Sequence, residues 1–164
     1  MMKINLARLG ELDVLHGIIR AATRKMDEQG ISQWDEVYPS RSLLKDDIEK
    51  QQMYVLGAGK QKAGMMVLNE EQSPEYAAVD WKFSGRALVI HRLTIDPAFQ
   101  RRGLASRLMD FAEEFAFTER YNCIRLDAFR RNPAAFGLYE RRGYRKAGAV
   151  RFRKGEFFCY EKKV

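Results

Sequence analysis

The sequence contains few of the residues that build covalent or metal-bound frameworks. Its 164 residues include two cysteines, Cys123 and Cys159, and two histidines, His16 and His91. Two cysteines are too few for a disulfide framework, and their spacing does not match a metal site. We therefore expect no disulfide scaffold and no metal, and a reducing cytoplasm is the simplest location.

Long hydrophobic runs are also missing. No apolar segment approaches the roughly 18 residues that span a bilayer, and the start of the chain, MMKINLARLGELD, lacks the apolar stretch of a signal peptide. We therefore expect no membrane attachment. Hydrophobic residues make up 46% of the chain and charged residues 31%, a globular rather than disordered balance. The length suits one domain over residues 1–164.

Two common phosphate-binding motifs are absent, although the chain is basic. It has neither the GKS or GKT of nucleotide hydrolases nor the G-x-G-x-x-G of dinucleotide-binding folds. The net charge is nevertheless +7. Arginines concentrate in the C-terminal half, at 101–102, 130–131, 141–145 and 151–153. Such a surface suits nucleic acid, an anionic small ligand or an acidic partner, or it is simply solvated.

Hydrophobic periodicity predicts an α/β domain in the order β-α-α-β-β-β-α-β-α-β-β. The predicted strands are 2–6, two strands within 53–68 that turn near Gly59, 87–95, 123–129, 144–150 and 157–163. The predicted helices cover about 15–26, 40–52, 103–117 and a segment from Asn132 to Gly143. Residues 69–85 form a loop in this prediction, and we expect the apolar patch of the loop near Trp81 to pack against the rest of the domain.

The stretch QRRGLAS (100–106) follows a strand and opens a helix. The first turn of a helix has backbone N–H groups without partners and a partial positive charge. Gly103 lets a ligand approach the backbone, Ala105 keeps the next turn small, and Arg101 and Arg102 add charge. The stretch therefore suits a phosphate or pyrophosphate. The alternative, a plain tight turn at Gly103, fits the bare motif equally well.

Longer segments around this stretch resemble a known family. HRLTIDPAFQRRGLASRLMDFAEEFA, from His91, resembles motif A of the GCN5-related N-acetyltransferase (GNAT) superfamily, with its Q/R-x-x-G-x-G/A pattern after a strand. RLDAFRRNPAAFGLYERRGYRKAG (125–148) resembles the superfamily's next segment. The resemblance covers 87–148 and implies a mixed, mostly antiparallel sheet with splayed central parallel strands and flanking helices.

The resemblance also implies a binding site for acetyl-CoA within residues 87–148. Acetyl-CoA would lie in the cleft where the two parallel strands, at about 87–95 and 123–128, splay apart. The backbone of the first of these strands would pair with the pantetheine arm as an added strand does, and the amides of 101–106 would hold the pyrophosphate. Asn132 would touch the arm or the amine, and it also suits a helix N-cap. The implied cofactor-binding residues are Leu93, Thr94, Ile95, Arg101, Arg102, Gly103, Leu104, Ala105, Ser106 and Asn132.

Two residues are candidates for catalysis. Tyr139 matches the tyrosine that protonates the leaving CoA thiolate in many family members, or else it is a core tyrosine. His91 shares a strand face with Leu93 and would accept the proton of the incoming ammonium, or else it is a buried, hydrogen-bonded histidine. Asp127, Glu140 and water are alternative bases. His16 suits a surface or core position, and Cys123 is no covalent carrier because no histidine lies nearby in sequence.

In relatives the N-terminal helices bind the acceptor, which assigns that role to residues 1–52. Trp34 and Tyr38 would line the acceptor pocket, and Asp35 or Glu36 would attract an amine. Aromatic residues that simply pack the helix pair explain Trp34 and Tyr38 equally well. The acceptor itself stays open between a small amine, an antibiotic, an amino acid, a peptide and a protein.

These observations together predict an acetyl-CoA-dependent N-acetyltransferase that works by direct attack of a primary amine in a ternary complex. Its partners would be acetyl-CoA and the acceptor, without metal, membrane or nucleic acid, in a monomer or homodimer. A basic nucleic-acid-binding module is one alternative, although aromatic residues do not alternate with the basic ones as stacking requires. A non-catalytic CoA-binding protein is the other.

Overall fold

A computed structural model describes residues 1–164, and its elements follow the predicted order. The strands are β1 (Lys3–Leu6), β2 (Met53–Ala58), β3 (Gln61–Asn69), β4 (Ala87–Ile95), β5 (Cys123–Phe129), β6 (Arg145–Phe152) and β7 (Gly155–Lys163). The helices are α1 (Leu12–Glu28), α2 (Arg41–Glu49), α3 (Leu104–Thr118) and α4 (Pro133–Arg141). None of the helices has both the length and the apolar content that a bilayer crossing requires.

Seven strands form one mixed sheet in the order β1-β2-β3-β4-β5-β7-β6. β1 with β2, β2 with β3, β5 with β7, and β6 with β7 are antiparallel. β4 and β5 are parallel, and their paired residues run from Ala87 with Cys123 to Val89 with Arg125. This mostly antiparallel sheet with one parallel pair and flanking helices confirms the predicted fold class.

The chain divides into two compact units, and β4 and α3 each contribute to both. The first unit comprises Met1–Leu68 and His91–Phe111. In this unit α1 places apolar residues at helical spacing, with Leu15, Ile18 and Ile19 buried. They pack with the buried side chains of α2, β2 and β3 in one apolar cluster. The cluster also includes Trp34, one of the candidate acceptor-site residues.

The second unit comprises Asn69–Ile90 and Ala112–Val164. Local sequence signals define α4 in this unit. The side chain of Asn132 accepts a hydrogen bond from the N–H of Ala135 at 3.4 Å, and Pro133 occupies the first turn, where no N–H is needed. The cap fixes the starting residue of α4, and hence the face on which Tyr139 lies.

Candidate active site

The loop before α3 has the geometry of an anion cradle. Arg101 and Gly103 both adopt left-handed backbone conformations, with φ of +64° and +71°. A Cβ at residue 103 would meet no atom within 4 Å, so the glycine faces open space. The N–H of Arg107 donates to the Gly103 carbonyl at 3.1 Å, which leaves the three preceding amides of the helix without an intrahelical acceptor. These amides, beside two exposed guanidinium groups, suit a phosphate.

The last residues of β4 lie next to this loop in the chain and belong to the same unit. Thr94 is buried and donates its hydroxyl to the Arg92 carbonyl at 2.9 Å, whereas Leu93 and Ile95 are half-buried. His91 is half-buried as well. The first unit therefore contains both the predicted cradle and the end of β4 that the resemblance assigns to the pantetheine arm.

Arg92, which sequence reasoning did not single out, forms a buried ion pair in the first unit. Its Nη2 lies 2.7 Å from Asp47 Oδ1 and its Nε 2.8 Å from Oδ2, and the two side chains are only 7% and 5% exposed. Its Nη1 also donates to the Tyr38 hydroxyl at 3.1 Å. Burial by itself lowers the pKa of the Arg92 guanidinium. The interactions with Tyr38 and Asp47 raise the pKa by more, so that it lies above its usual value.

The two predicted acceptor-site aromatics, which are close in sequence, differ in environment. Trp34 is buried and packs in the apolar cluster with Leu15 and Leu44, as the packing alternative expects. Tyr38 is 39% exposed, and its hydroxyl accepts the hydrogen bond from Arg92. Of the two residues, therefore, only Tyr38 presents substantial surface to a ligand.

Tyr139 lies on α4 in the second unit and is buried against two other tyrosines. Its ring centroid is 6.1 Å from that of Tyr144 and 6.0 Å from that of Tyr160. Burial and, to a smaller extent, the charge of Asp127 raise the pKa of Tyr139 well above its usual value. The phenol therefore keeps its proton at neutral pH and is available as a donor.

Asp127 on β5 receives a short hydrogen bond from a tyrosine of the segment that connects β3 and β4. The Tyr76 hydroxyl donates to Asp127 Oδ2 at 2.6 Å. Burial raises the pKa of Asp127 to about 6, and the hydrogen bond from Tyr76 only partly opposes this effect. Asp127 therefore titrates close to neutrality, where a proton acceptor works best.

The remaining predicted groups of the second unit have other partners. Glu140, on the exposed side of α4, accepts a hydrogen bond from Tyr160 at 2.6 Å. Both cysteines are buried, and burial is the main cause that raises the pKa of Cys123 and, to about 12, that of Cys159. Neither thiol is activated as a nucleophile. No group of three or more His, Cys, Asp or Glu side chains is arranged to hold a metal ion.

The segment between β3 and β4 is fastened to the sheet by a polar network that sequence reasoning missed. The buried Glu161 carboxylate accepts hydrogen bonds from the backbone N–H groups of Lys82 and Phe83, at 2.8 and 2.9 Å, and pairs with Arg145. Arg125 lies 4.4 Å from the Trp81 ring and donates to the Phe83 carbonyl. Only the apolar residues around Trp81 gave a local signal of this packing.

Comparisons with known proteins agree on one family. The model of the Acetyltransferase (GNAT) family matches residues 19–144. The uncharacterized N-acetyltransferase YesJ of Bacillus subtilis is 24% identical over 143 residues, which cover 85% of this chain and 79% of YesJ.

Solved structures show the same fold. An acetyltransferase of the GNAT family from Streptococcus agalactiae has a TM-score of 0.86 at 25% identity, covering 99% of this chain and 95% of its own. The PaiA N-acetyltransferase of Thermoplasma acidophilum, solved in complex with coenzyme A, has a TM-score of 0.75 at 18% identity, covering 100% and 99%. The family match spans most of the sequence, and the chain therefore belongs to the acetyltransferase (GNAT) family.

Proposed function

We propose that this protein is an acetyl-CoA-dependent N-acetyltransferase that acetylates a primary amine by direct attack in a ternary complex. The observation that carries the proposal is the cradle at residues 101–106, since its free amides and left-handed backbone suit a pyrophosphate. Family membership supports the reaction type. The PaiA enzyme, which shares the fold, binds coenzyme A.

The residues present fit a CoA molecule in chemistry as well as in sequence. The open space at Gly103 leaves room for a phosphate against the backbone, and Arg101 and Arg102 supply positive charge beside it. In the proposal the backbone of Leu93, Thr94 and Ile95 pairs with the pantetheine arm, and Asn132 contacts the arm beyond its capping role. Bound acetyl-CoA supplies an acetyl thioester, which the amine attacks with release of the CoA thiolate.

Tyr139 is the proposed donor of the proton that the leaving thiolate takes up. Its raised pKa keeps the hydroxyl protonated at neutral pH. The same shift makes proton transfer to the thiolate energetically uphill, because a thiol is a stronger acid than this phenol. We therefore expect the contribution of Tyr139 to the rate to lie toward the lower end of general acid catalysis, which is roughly 10²- to 10⁴-fold.

Deprotonation of the incoming ammonium requires a base, and the proposal assigns that role to His91. Asp127 is the alternative with the strongest structural support, because its pKa of about 6 lies near neutrality. A water molecule is the third candidate. On the acceptor side, the proposal retains Tyr38, which has an exposed ring and a hydroxyl fixed by Arg92. Trp34 would act only indirectly, because it is buried in the core.

The test is a thiol-release assay with acetyl-CoA and a panel of primary amines, combined with calorimetric titration of CoA. Gly103→Glu should abolish CoA binding, because a carboxylate would occupy the place of the anion. Gly59→Glu is a matched control, since Gly59 has φ +57° and also faces open space. Normal CoA binding by a folded Gly103→Glu protein would contradict the cradle.

The same assay tests catalysis separately from binding. Tyr139→Phe should lower kcat by roughly tenfold to a thousandfold, around the lower end of the usual range for general acid catalysis, and leave CoA affinity unchanged, because the ring still fills its place. Tyr144→Phe is the control, a buried tyrosine of the same cluster whose hydroxyl bonds Glu113. If CoA binds and no amine in the panel releases thiol, the protein is a CoA-binding protein without this activity.

A further inference from the structure

A basic cleft opens in the second unit where β5 ends and β6 turns into β7. Its volume is about 530 Å³. It is lined by Phe129, Arg130, Arg131, Arg151, Lys154 and Glu156, together with Gly155. A volume of this size falls in the range of small-molecule sites, roughly 300–1,000 Å³, and exceeds the space that one phosphate needs.

The cleft is lined by more cations than carboxylates. Four cations line it against one carboxylate, Glu156, which lies 3.5 Å from Arg130. Arg131 and Arg151 are exposed and form no ion pair. Like charges held close together repel one another and destabilise the folded chain. A ligand that carries negative charge would remove this cost, so the cleft favours an anion.

One of the residues that line the cleft, Phe129, belongs to a cluster of aromatic side chains. Phe129 packs against Phe157 with ring centroids 5.1 Å apart, and Phe152 also packs against Phe157, with centroids 5.1 Å apart. Gly155 has φ +135°, and a Cβ there would lie 3.4 Å from the Phe129 ring. The turn between β6 and β7 therefore lies close to the Phe129 ring.

The cleft also adjoins the helix that carries the proposed proton donor. Arg130 and Arg131 directly precede Asn132, the N-cap of α4, and Tyr139 lies on that helix. The backbone N–H of Arg130 donates to the Glu156 carbonyl at 3.0 Å, which ties this loop to β7. The pyrophosphate cradle uses none of these residues, since it is built from 101–106.

We propose that this cleft binds a carboxylate or phosphate group carried by the acceptor, so that the enzyme selects acidic primary amines. This inference rests on the proposed acetyltransferase function and names the substrate class for it. Arg131 and Arg151 are the residues that recognise the anion, with Lys154 beside them. Guanidinium groups form charge-assisted, often bidentate hydrogen bonds with such anions.

The experiment compares the wild-type protein with the double variant Arg131→Gln/Arg151→Gln. The control variant is Lys60→Gln/Lys163→Gln, which removes the same charge from exposed lysines outside the cleft. O-phosphoethanolamine and ethanolamine, which share one amine, are titrated calorimetrically into the protein saturated with CoA. We expect O-phosphoethanolamine to bind the wild-type protein and ethanolamine not to bind. The affinity for O-phosphoethanolamine should be about tenfold lower in the double variant and unchanged in the control variant.

A second arm separates the source of the anion. CoA and 3′-dephospho-CoA are titrated into each variant, and both should bind the double variant as they bind the wild type. Selective weakening of CoA would assign the cleft to the cofactor's own phosphate and overturn the proposal. The proposal would also be overturned if O-phosphoethanolamine did not bind the wild-type protein, or if the double variant and the control variant lost affinity for it equally.

These binding measurements do not depend on turnover. If the acidic amine binds and no thiol is released, the acetyltransferase function fails while the cleft assignment stands. The melting temperature gives a further check on folding. Because the double variant removes unpaired like charges, its melting temperature should equal or exceed that of the wild type, so weaker binding cannot be ascribed to unfolding.

Discussion

Each unit of the molecule contains an aspartate that is shielded from solvent, Asp47 buried and Asp127 half-buried, and the two aspartates have different partners. Asp47 in the first unit meets the guanidinium of Arg92 in a bidentate ion pair. Asp127 in the second unit meets only the hydroxyl of Tyr76. A guanidinium compensates the full charge of a carboxylate, whereas a phenol offers a single neutral hydrogen bond.

This difference separates a structural carboxylate from a titratable one. The Arg92 pair ties α2 to β4 and orients Tyr38. The pKa of Asp127, which burial raises to about 6, instead places its proton exchange near neutral pH. We infer that burial alone does not make an aspartate functional; the charge of its partner decides which role is open to it.

The largest effect is expected from Asp47→Asn, which keeps the size of the side chain and removes its charge. Arg92 would then be a buried cation without a counter-charge. Breaking a buried pair in this way costs about 3–5 kcal/mol of unfolding free energy. Denaturant unfolding of the two proteins at pH 7 measures the loss.

A matched control is Asp13→Asn, whose partner Arg41 lies 2.8 Å away with both side chains exposed. Exposed pairs contribute less than about 1 kcal/mol. Equal losses in the two variants would show that the burial of the Arg92 pair carries no special weight.

A smaller, pH-dependent effect is expected from Asp127→Asn. The pKa of Asp127 is raised in the folded state, so the fold favours the protonated carboxyl. The associated stability is present below pH 4 and is lost as pH rises through about 6. An asparagine cannot ionise. The variant should match the wild type at pH 4 and exceed its unfolding free energy at pH 8 by at most about 3 kcal/mol.

Unfolding free energies measured at intervals from pH 4 to pH 8 check this prediction. The informative quantity is the difference between variant and wild type, because other titrating groups contribute equally to both. A difference that stays constant over this pH range would remove Asp127 as a group that titrates near neutrality.

The smallest effect is expected from Tyr76→Phe, which deletes the hydroxyl and keeps the ring. The ring centroid of Tyr76 lies 5.2 Å from that of Trp81. The hydrogen bond from Tyr76 lowers the pKa of Asp127, so its loss should raise that pKa above about 6. A hydrogen bond to a charged group contributes about 1.5–3 kcal/mol, and we expect a loss near the lower value.

The carbon-13 chemical shift of the Asp127 carboxyl, followed against pH, reports the pKa directly. Tyr121→Phe serves as the control, since its hydroxyl bonds the exposed carboxylate of Glu70 at 3.0 Å. That substitution should leave the pKa of Asp127 unchanged. An unchanged pKa of Asp127 in Tyr76→Phe as well would contradict the role of the hydrogen bond.

The order of the elements was predictable because its signals are local. Apolar spacing marked α1, alternation marked β5, and Asn132 with Pro133 marked the start of α4. Boundaries were less accurate than the order, and α2, predicted to reach residue 52, ends at Glu49. β7, for example, begins at Gly155 rather than at 157, because the tight turn that joins it to β6 continues the ladder.

The polar pairs were not predictable, because their members lie far apart in the chain. Arg92 is 45 residues from Asp47, Tyr76 is 51 from Asp127, and Lys82 is 79 from Glu161. No periodicity links residues at such distances. The candidate cradle at Gly103 was accessible to sequence reasoning because it depends on a strand, a glycine and a helix start within a few residues.

The network around Glu161 bears on where this chain tolerates added residues. Irregular segments between strands are usually the places where insertions and tags are accepted. The segment before β4 differs, because an inserted residue near Lys82 would displace backbone donors from a carboxylate that is completely buried. Insertions are better placed in the exposed turn at Gly59 and Lys60, between β2 and β3.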